Sequence, residues 1–336
     1  MNKKSRRFLV TASVFLTLFF LGNVLPHVNN IAAAADKWPD KAMKLVIPWK
    51  PGGGTDRSAR VFAPYLAKEL GVPVNPVNIS GGGGWVAWAQ MAKWESPADD
   101  YMIGFGNLPH ILSLLDPRLK RKETLEDFGW ITLHTFDPCI WAVREGDERF
   151  QSLKELIAYI KANPGKVTFH VSGVGGDDHL GAAAALKSIP GLKVNFLYSN
   201  GDAERIAAVL GKTSDVCGGN VAYYINYALE AKLKPIAILN DKRVKGMPTV
   251  PTFEEVTGKK VISYAARCIV GPSNLPSEKK QIILDAVKRA AENPEYAMKA
   301  MNMGDVVDLR TGPELKKLLD QAKELAQSVS YWKDAK

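Results

Sequence analysis

The sequence predicts an α/β protein of two lobes, each a mainly parallel sheet flanked by helices, the lobes joined by strands that cross between them. Short apolar runs alternate with helical patterns along the chain, the pattern of β-strands connected by covering helices. A glycine-rich turn stands between run and helix three times, at residues 51–56, 80–84 and 172–178. The residues that follow the N-terminal segment number about 300, the upper limit for one core.

The elements follow in order. Met43-Lys44-Leu45-Val46-Ile47 reads as a strand, and after the first glycine turn Ala59, Phe62, Ala63, Leu66 and Leu70 recur at helical spacing, stopped by Gly71 and Pro73. Residues 74–79 read as a strand, 85–94 as a helix and 102–105 as a third strand. Residues 140–143 form a further strand. Ser152-Leu153-Lys154-Glu155 is a capping box for a helix that ends near Asn163-Pro164-Gly165. Strand 167–171 leads through the third turn into an alanine-rich helix at 179–187, and strand 194–198 into a helix ending at Leu210. Residues 215–217 and 235–239 read as strands, 261–270 as a long one, and the C-terminal stretch as helical. Crossings between lobes are expected near 139–144 and 264–271. They divide the chain into residues 36–140 with 268–336, and residues 141–267.

Residues 1–35 read as a cleaved export signal: Lys3, Lys4, Arg6 and Arg7 precede an apolar run, and Ala32 to Ala35 offer small residues for cleavage before Asp36. The run at 8–21 falls short of the roughly 20 residues that span a bilayer. The Arg6-Arg7 pair leaves both general and twin-arginine export open. Removing four cationic residues lowers the net charge from +9 to about +5. The remaining charges are scattered, without the basic and aromatic stripe of a nucleic-acid interface, so no nucleic-acid partner is expected. Cys139, Cys217 and Cys268 have no CxxC spacing, lie in apolar runs and are expected as buried thiols.

The chemistry lies in the glycine turns. A strand that ends in glycines and enters a helix leaves backbone N–H groups uncovered at the positive end of the helix dipole, which suits an anion. In α/β folds such turns sit at the carboxyl ends of strands, where ligands bind. The expected binding residues are Gly53, Gly54, Thr55 and Asp56 in the first turn, Gly82 and Gly83 in the second, and Ser172, Gly175, Gly176 and Asp177 in the third. Asn107, Tyr198, Asn200 and Asp202 add polar groups at other strand ends. Asp177 and Asp178 either cap their helix or face the ligand. Trp85 and Trp88, at i and i+3, are expected as core.

Catalytic and metal signatures are missing. Gly211-Lys212-Thr213 lacks the upstream glycine of a phosphate-binding loop, and the GxSxG, HExxH and EF-hand patterns do not occur. His110, His134, His170 and His179 lack metal spacing. Ser172 with His170 or His179 has no evident third partner. No catalytic residue, metal or cofactor is expected.

The pattern resembles the periplasmic solute receptors of tripartite tricarboxylate transporters, the Bug family. The resemblance rests on Lys44-Leu45-Val46-Ile47-Pro48 running into the first turn with Arg60, and on Asn78 with Gly81 to Gly84. It continues through Gly173-Val174-Gly175 with His179-Leu180, Tyr198 with Gly201, Val250-Pro251-Thr252-Phe253, and Gly271-Pro272 with Pro276. Lys50, Ser80, Trp85, Gly176 and Asp177-Asp178 depart from the family's pattern. The resemblance implies a type II periplasmic-binding fold that closes on a carboxylate, with the first and third turns as its two jaws. It implies a monomer that binds a di- or tricarboxylate, an acidic amino acid or an aromatic acid, and that works with one large and one small membrane subunit. An exported hydrolase or a ligand-presenting sensor subunit are the alternatives.

Overall fold

The computed structural model describes residues 38–199, 201–224, 232–330 and 332. The expected export signal and Asn200 lie outside the described residues. Residues 41–336 form one unit, grouped apart from residues 1–40, and hold every element named below.

Ten strands form one sheet: β1 (Met43–Ile47), β2 (Val74–Asn78), β3 (Met102–Leu108), β4 (Phe128–Arg144), β5 (Thr168–Val171), β6 (Asn195–Tyr198), β7 (Val216–Asn220), β8 (Leu233–Leu239), β9 (Tyr264–Pro272) and β10 (Val306–Val307). Their order is β2-β1-β3-β9-β4-β7-β5-β6, with β8 and β10 also on β4. The outer strands are parallel, β1 to β2 and β3, and β5 to β6 and β7. The inner strands β4 and β9 run antiparallel to their neighbours. The βα units thus supply parallel wings, and the strands between them close the sheet.

The 17-residue β4 explains how the wings join. Residues 128–138 pair with β9, whereas 139–144 pair with β7 and β8. The change of partner falls at Pro138. A proline inside a central strand removes a ladder donor, and here it stands where one ladder ends and the next begins. Cys139 then donates its N–H to Ser263 O at 2.8 Å, and Ser263 donates to Leu239 O at 3.0 Å. The partner change therefore lies just before residues 139–144, and among the described residues β9 itself pairs with β3 and the first part of β4. Asp137-Pro138 reads locally as a turn, which is why the first half of β4 is not legible as a strand.

Past the switch, both faces of β4 are buried at period two. Cys139, Trp141 and Val143 join Phe150, Leu156, Phe169 and Ala182 in one core cluster. Ile140 and Ala142 join Ile206, Val209 and Cys217 in another, as expected for a strand covered on both sides. The helices that bear on the site are α1 (Gly54–Leu70), α2 (Trp85–Met91), α3 (Leu153–Ala162), α4 (Asp177–Ser188) and α5 (Asp202–Leu210), followed by α6 (Phe253–Thr257), α7 (Ser277–Glu292), α8 (Pro294–Asn302) and α9 (Gly312–Val329). In α1, Ala59, Phe62, Ala63, Leu66 and Leu70 are buried, and Gly71 ends the helix in the left-handed conformation, a common helix stop.

Candidate functional site

A cavity of about 380 Å³ lies where the turns before α1, α4 and α5 meet the inner strands. Of the residues expected in a binding site, Gly53, Gly54, Thr55, Asn107, Ser172, Asp177 and Asp202 line it. Asp56, Gly82, Gly83, Gly175, Gly176 and Tyr198 are not in its lining.

The first turn faces the cavity with open donors. Gly53 is the N-cap of α1 and receives no side-chain cap bond. The first amides of a helix have no intrahelical acceptor, and among the described residues none is supplied to the N–H groups of Gly53, Gly54 or Thr55. Asp56 turns backward instead. Its carboxylate accepts from Gly52 N at 2.9 Å, Arg60 Nε at 2.9 Å and Asn78 Nδ2 at 2.8 Å. Burial alone would raise its pKa, but the bonds from Arg60, Gly52 and Asn78 hold it below the usual carboxylate value. Asp56 thus braces the turn from behind.

Beneath the turn lies Arg267, 2% exposed. An ideal Cβ on Gly54 would stand 3.0 Å from Arg267 Nη2. Arg267 donates from Nη1 to Asp305 at 2.7 Å, from Nη2 to Asp137 at 2.9 Å and from Nε to Thr55 Oγ1 at 3.3 Å. Asn107 Nδ2 also donates to Thr55 Oγ1, at 3.0 Å. Burial opposes the guanidinium charge, but the carboxylates of Asp305 and Asp137 outweigh it and hold the arginine above its ordinary pKa. For Asp137 burial wins: its carboxyl is pushed up to about 7, although Arg267 pulls it down.

The third turn is built alike but filled. Gly176 is the N-cap of α4. Asp178 lays its carboxylate into the turn, accepting from Ser172 N at 2.7 Å, His179 N at 2.8 Å and the Ser172 hydroxyl. Gly176 N bonds Gly173 O at 2.9 Å, and Gly175 N bonds His179 Nδ1 at 3.0 Å. That bond makes Nδ1 an acceptor, so His179 donates from Nε2 toward Tyr198 Oη, 3.2 Å away. Burial depresses His179 to about 4. Gly175, Gly176 and Tyr198 are thereby committed to the turn itself, and a Cβ on Gly176 would strike the Ser172 hydroxyl. Ser172 is bonded to Asp178, with His110 Nε2 3.4 Å away, and His179 is engaged elsewhere.

The second turn serves the core. Gly81 to Gly84 all have positive φ, and a Cβ on Gly84 would lie 2.6 Å from the Trp88 ring. Trp85 and Trp88 are buried edge to face at 5.6 Å, and their indoles donate to Ser113 Oγ and Phe105 O. Gly82 and Gly83 supply a left-handed backbone that ordinary residues rarely adopt.

Asp177 sits between the walls. Its Oδ2 accepts from Cys139 Sγ at 3.2 Å and Asn220 Nδ2 at 2.5 Å, and His110 Nε2 lies 3.2 Å from Oδ1. Burial, then the charges of Asp177 and Asp178, push the Cys139 thiol well up. Asp202 is bonded to Arg205; burial raises its pKa against the pull of that arginine. The sequence reading missed Arg267, Arg205, His110 and Asp137 as lining residues. For Arg267 a signal existed, a lone arginine inside the apolar run from Tyr264 to Val270, since an unpaired guanidinium is rarely buried. Among the described residues, no group of three or more His, Cys, Asp or Glu could hold a metal, and no helix is long and apolar enough to cross a membrane.

Comparison with known proteins shows the fold and family of the chain. The family model described as the tripartite tricarboxylate transporter family receptor matches residues 58–325. A UPF0065 protein from the gbd 5′ region of Cupriavidus necator is 30% identical over 264 residues, 79% of each chain. The solved structure of the periplasmic binding protein BugD superimposes with a TM-score of 0.75 at 23% identity, covering 88% of this chain and 98% of that one. MatC from Rhodopseudomonas palustris with bound malate gives a TM-score of 0.70 at 22% identity, covering 88% and 99%. The chain therefore has the α/β periplasmic-binding-protein fold and belongs to the tripartite tricarboxylate transporter receptor family, whose members are solute-binding receptors and not enzymes.

Proposed function

We propose that this receptor captures a small organic carboxylate in the 380 Å³ cavity and delivers it to a transporter of the tripartite tricarboxylate type, built from one large and one small membrane subunit. The observation that carries this reading is the row of open N–H groups at Gly53, Gly54 and Thr55, with the buried Arg267 guanidinium beneath them. Amide donors at a helix N-terminus in a site shielded from water favour a carboxylate. The malate bound by MatC supports the chemical class.

Export to the periplasm as a monomer, with residues 1–35 removed, belongs to the same proposal. So does a division into lobes, for which the strand pairings support boundaries near residues 138 and 263. Ligand binding would close the lobes by a hinge at these crossings.

Native mass spectrometry of the protein purified from the periplasm tests the reading, followed by a thermal-shift screen of organic acids. A co-purified acid, or a rise in Tm with a subset of the acids, is expected. No bound acid and no shift across the screen would overturn it.

A further inference from the structure

Three lysine or arginine side chains and three acidic ones line the cavity. Lys50, Arg205 and Arg267 stand against Asp137, Asp177 and Asp202. Two of the acids have their own arginine: Asp137 pairs with Arg267, and Asp202 with Arg205. Asp177 does not. It is 1% exposed, and its hydrogen-bond donors are a thiol and an amide, with an imidazole nitrogen in reach. No arginine or lysine among the described residues forms an ion pair with it. Its place in the first turn of α4 offsets part of its charge through the helix dipole. A buried carboxylate normally has a cationic partner as well.

A second observation points the same way. Asn107 is 1% exposed and lines the same cavity. Its Nδ2 is bonded to Thr55, but its buried Oδ1 has no hydrogen-bond partner among the described residues. An acceptor without a partner, and a buried carboxylate that faces an imidazole but no arginine or lysine, both favour a donor on the guest.

Resting on the receptor reading above, we propose that the solute is an amine-bearing carboxylic acid, its carboxylate at the first glycine turn and its ammonium group paired with Asp177. Arg205 and Arg267 are already engaged by acids, so a further carboxylate on the solute would have Lys50 as its cation on the cavity wall. Asp177 would select against acids that lack the amine.

Calorimetric titration of the mature protein with matched pairs tests this. The probes are L-aspartate with succinate and N-acetyl-L-aspartate, L-phenylalanine with 3-phenylpropionate, and L-leucine with 4-methylpentanoate. In whichever set binds, the free amine is expected to bind at least about 30-fold more tightly than its deaminated or acetylated counterpart, in line with the cost of leaving a buried charge unpaired. Asp177→Asn should reduce that ratio to about 3-fold or less by weakening the amine alone. If circular dichroism shows that variant unfolded, the wild-type ratios decide. A deaminated acid that binds as tightly as its amine overturns this inference and leaves the receptor reading standing. Citrate, malate and adipate complete the panel, and failure of every acid to bind would overturn both.

Discussion

The first and third glycine turns share a design and differ in one position. Each follows a parallel strand, each has a glycine N-cap without a side-chain cap bond, and each opens a helix with an acid in its first turn. In the first turn Asp56 is the third helical residue. Its carboxylate accepts from Gly52 behind the N-cap, from Arg60 one turn further along the helix and from Asn78, and leaves the N–H groups of Gly53, Gly54 and Thr55 open. In the third turn Asp178 is the second helical residue, and its carboxylate occupies the turn itself. The shift of one residue separates a turn braced by its acid from one filled by it. Of the two turns expected as jaws, the first has open N–H groups and the third holds its own carboxylate.

The most severe way to break the contrast is to remove the floor of the first turn. Arg267→Met would leave Asp137 and Asp305 buried without their guanidinium, a loss of about 3–5 kcal/mol, read as a fall in urea midpoint. Gly54→Val acts on the open donors directly. A Cβ there crowds Arg267 Nη2, so affinity for the cognate acid should drop roughly 100-fold, or about 2.7 kcal/mol, with the circular dichroism spectrum unchanged. Retained affinity in that variant would move the carboxylate site elsewhere.

Acid should loosen the third turn. His179 is depressed to about 4 by burial, below its unfolded value of 6.5. Its stabilising contribution is intact above pH 6.5 and is lost as the pH falls toward 4, because the unfolded chain takes up the proton first. Between pH 7 and pH 5 the loss should be about 2 kcal/mol, and His179→Gln should flatten that part of the pH–stability curve. A curve that the substitution does not change would contradict the neutral, acceptor role of Nδ1.

The mildest change converts one turn toward the other. Asp178→Ala should cost about 1–2 kcal/mol for the hydrogen bonds lost. It should also give the emptied turn an affinity for sulfate, seen as a larger sulfate-induced rise in Tm than the wild type shows. No difference in sulfate response would mean that the acid's position is not what closes the turn.

Local chemistry wrote much of this protein into its sequence. The alternation of apolar runs and helices, the helix stop at Gly71, the N-cap at Ser152 and the three glycine turns follow from backbone geometry and short-range spacing, and each appears where those rules put it. Of the expected capping box only the Ser152 half forms, since Glu155 accepts from Gln151 N. The short motifs in their order also carried the family resemblance. Tertiary structure decided the rest, because it depends on partners distant in the chain. Pro138 reads as a break until β7, β8 and β9 show it to be a change of partner. Arg267 reads as an intrusion in an apolar strand until Asp137 and Asp305, 130 and 38 residues away, enclose it. Spacing announces that amides are left uncapped, but only the folded chain determines whether a neighbouring carboxylate or a guest takes them.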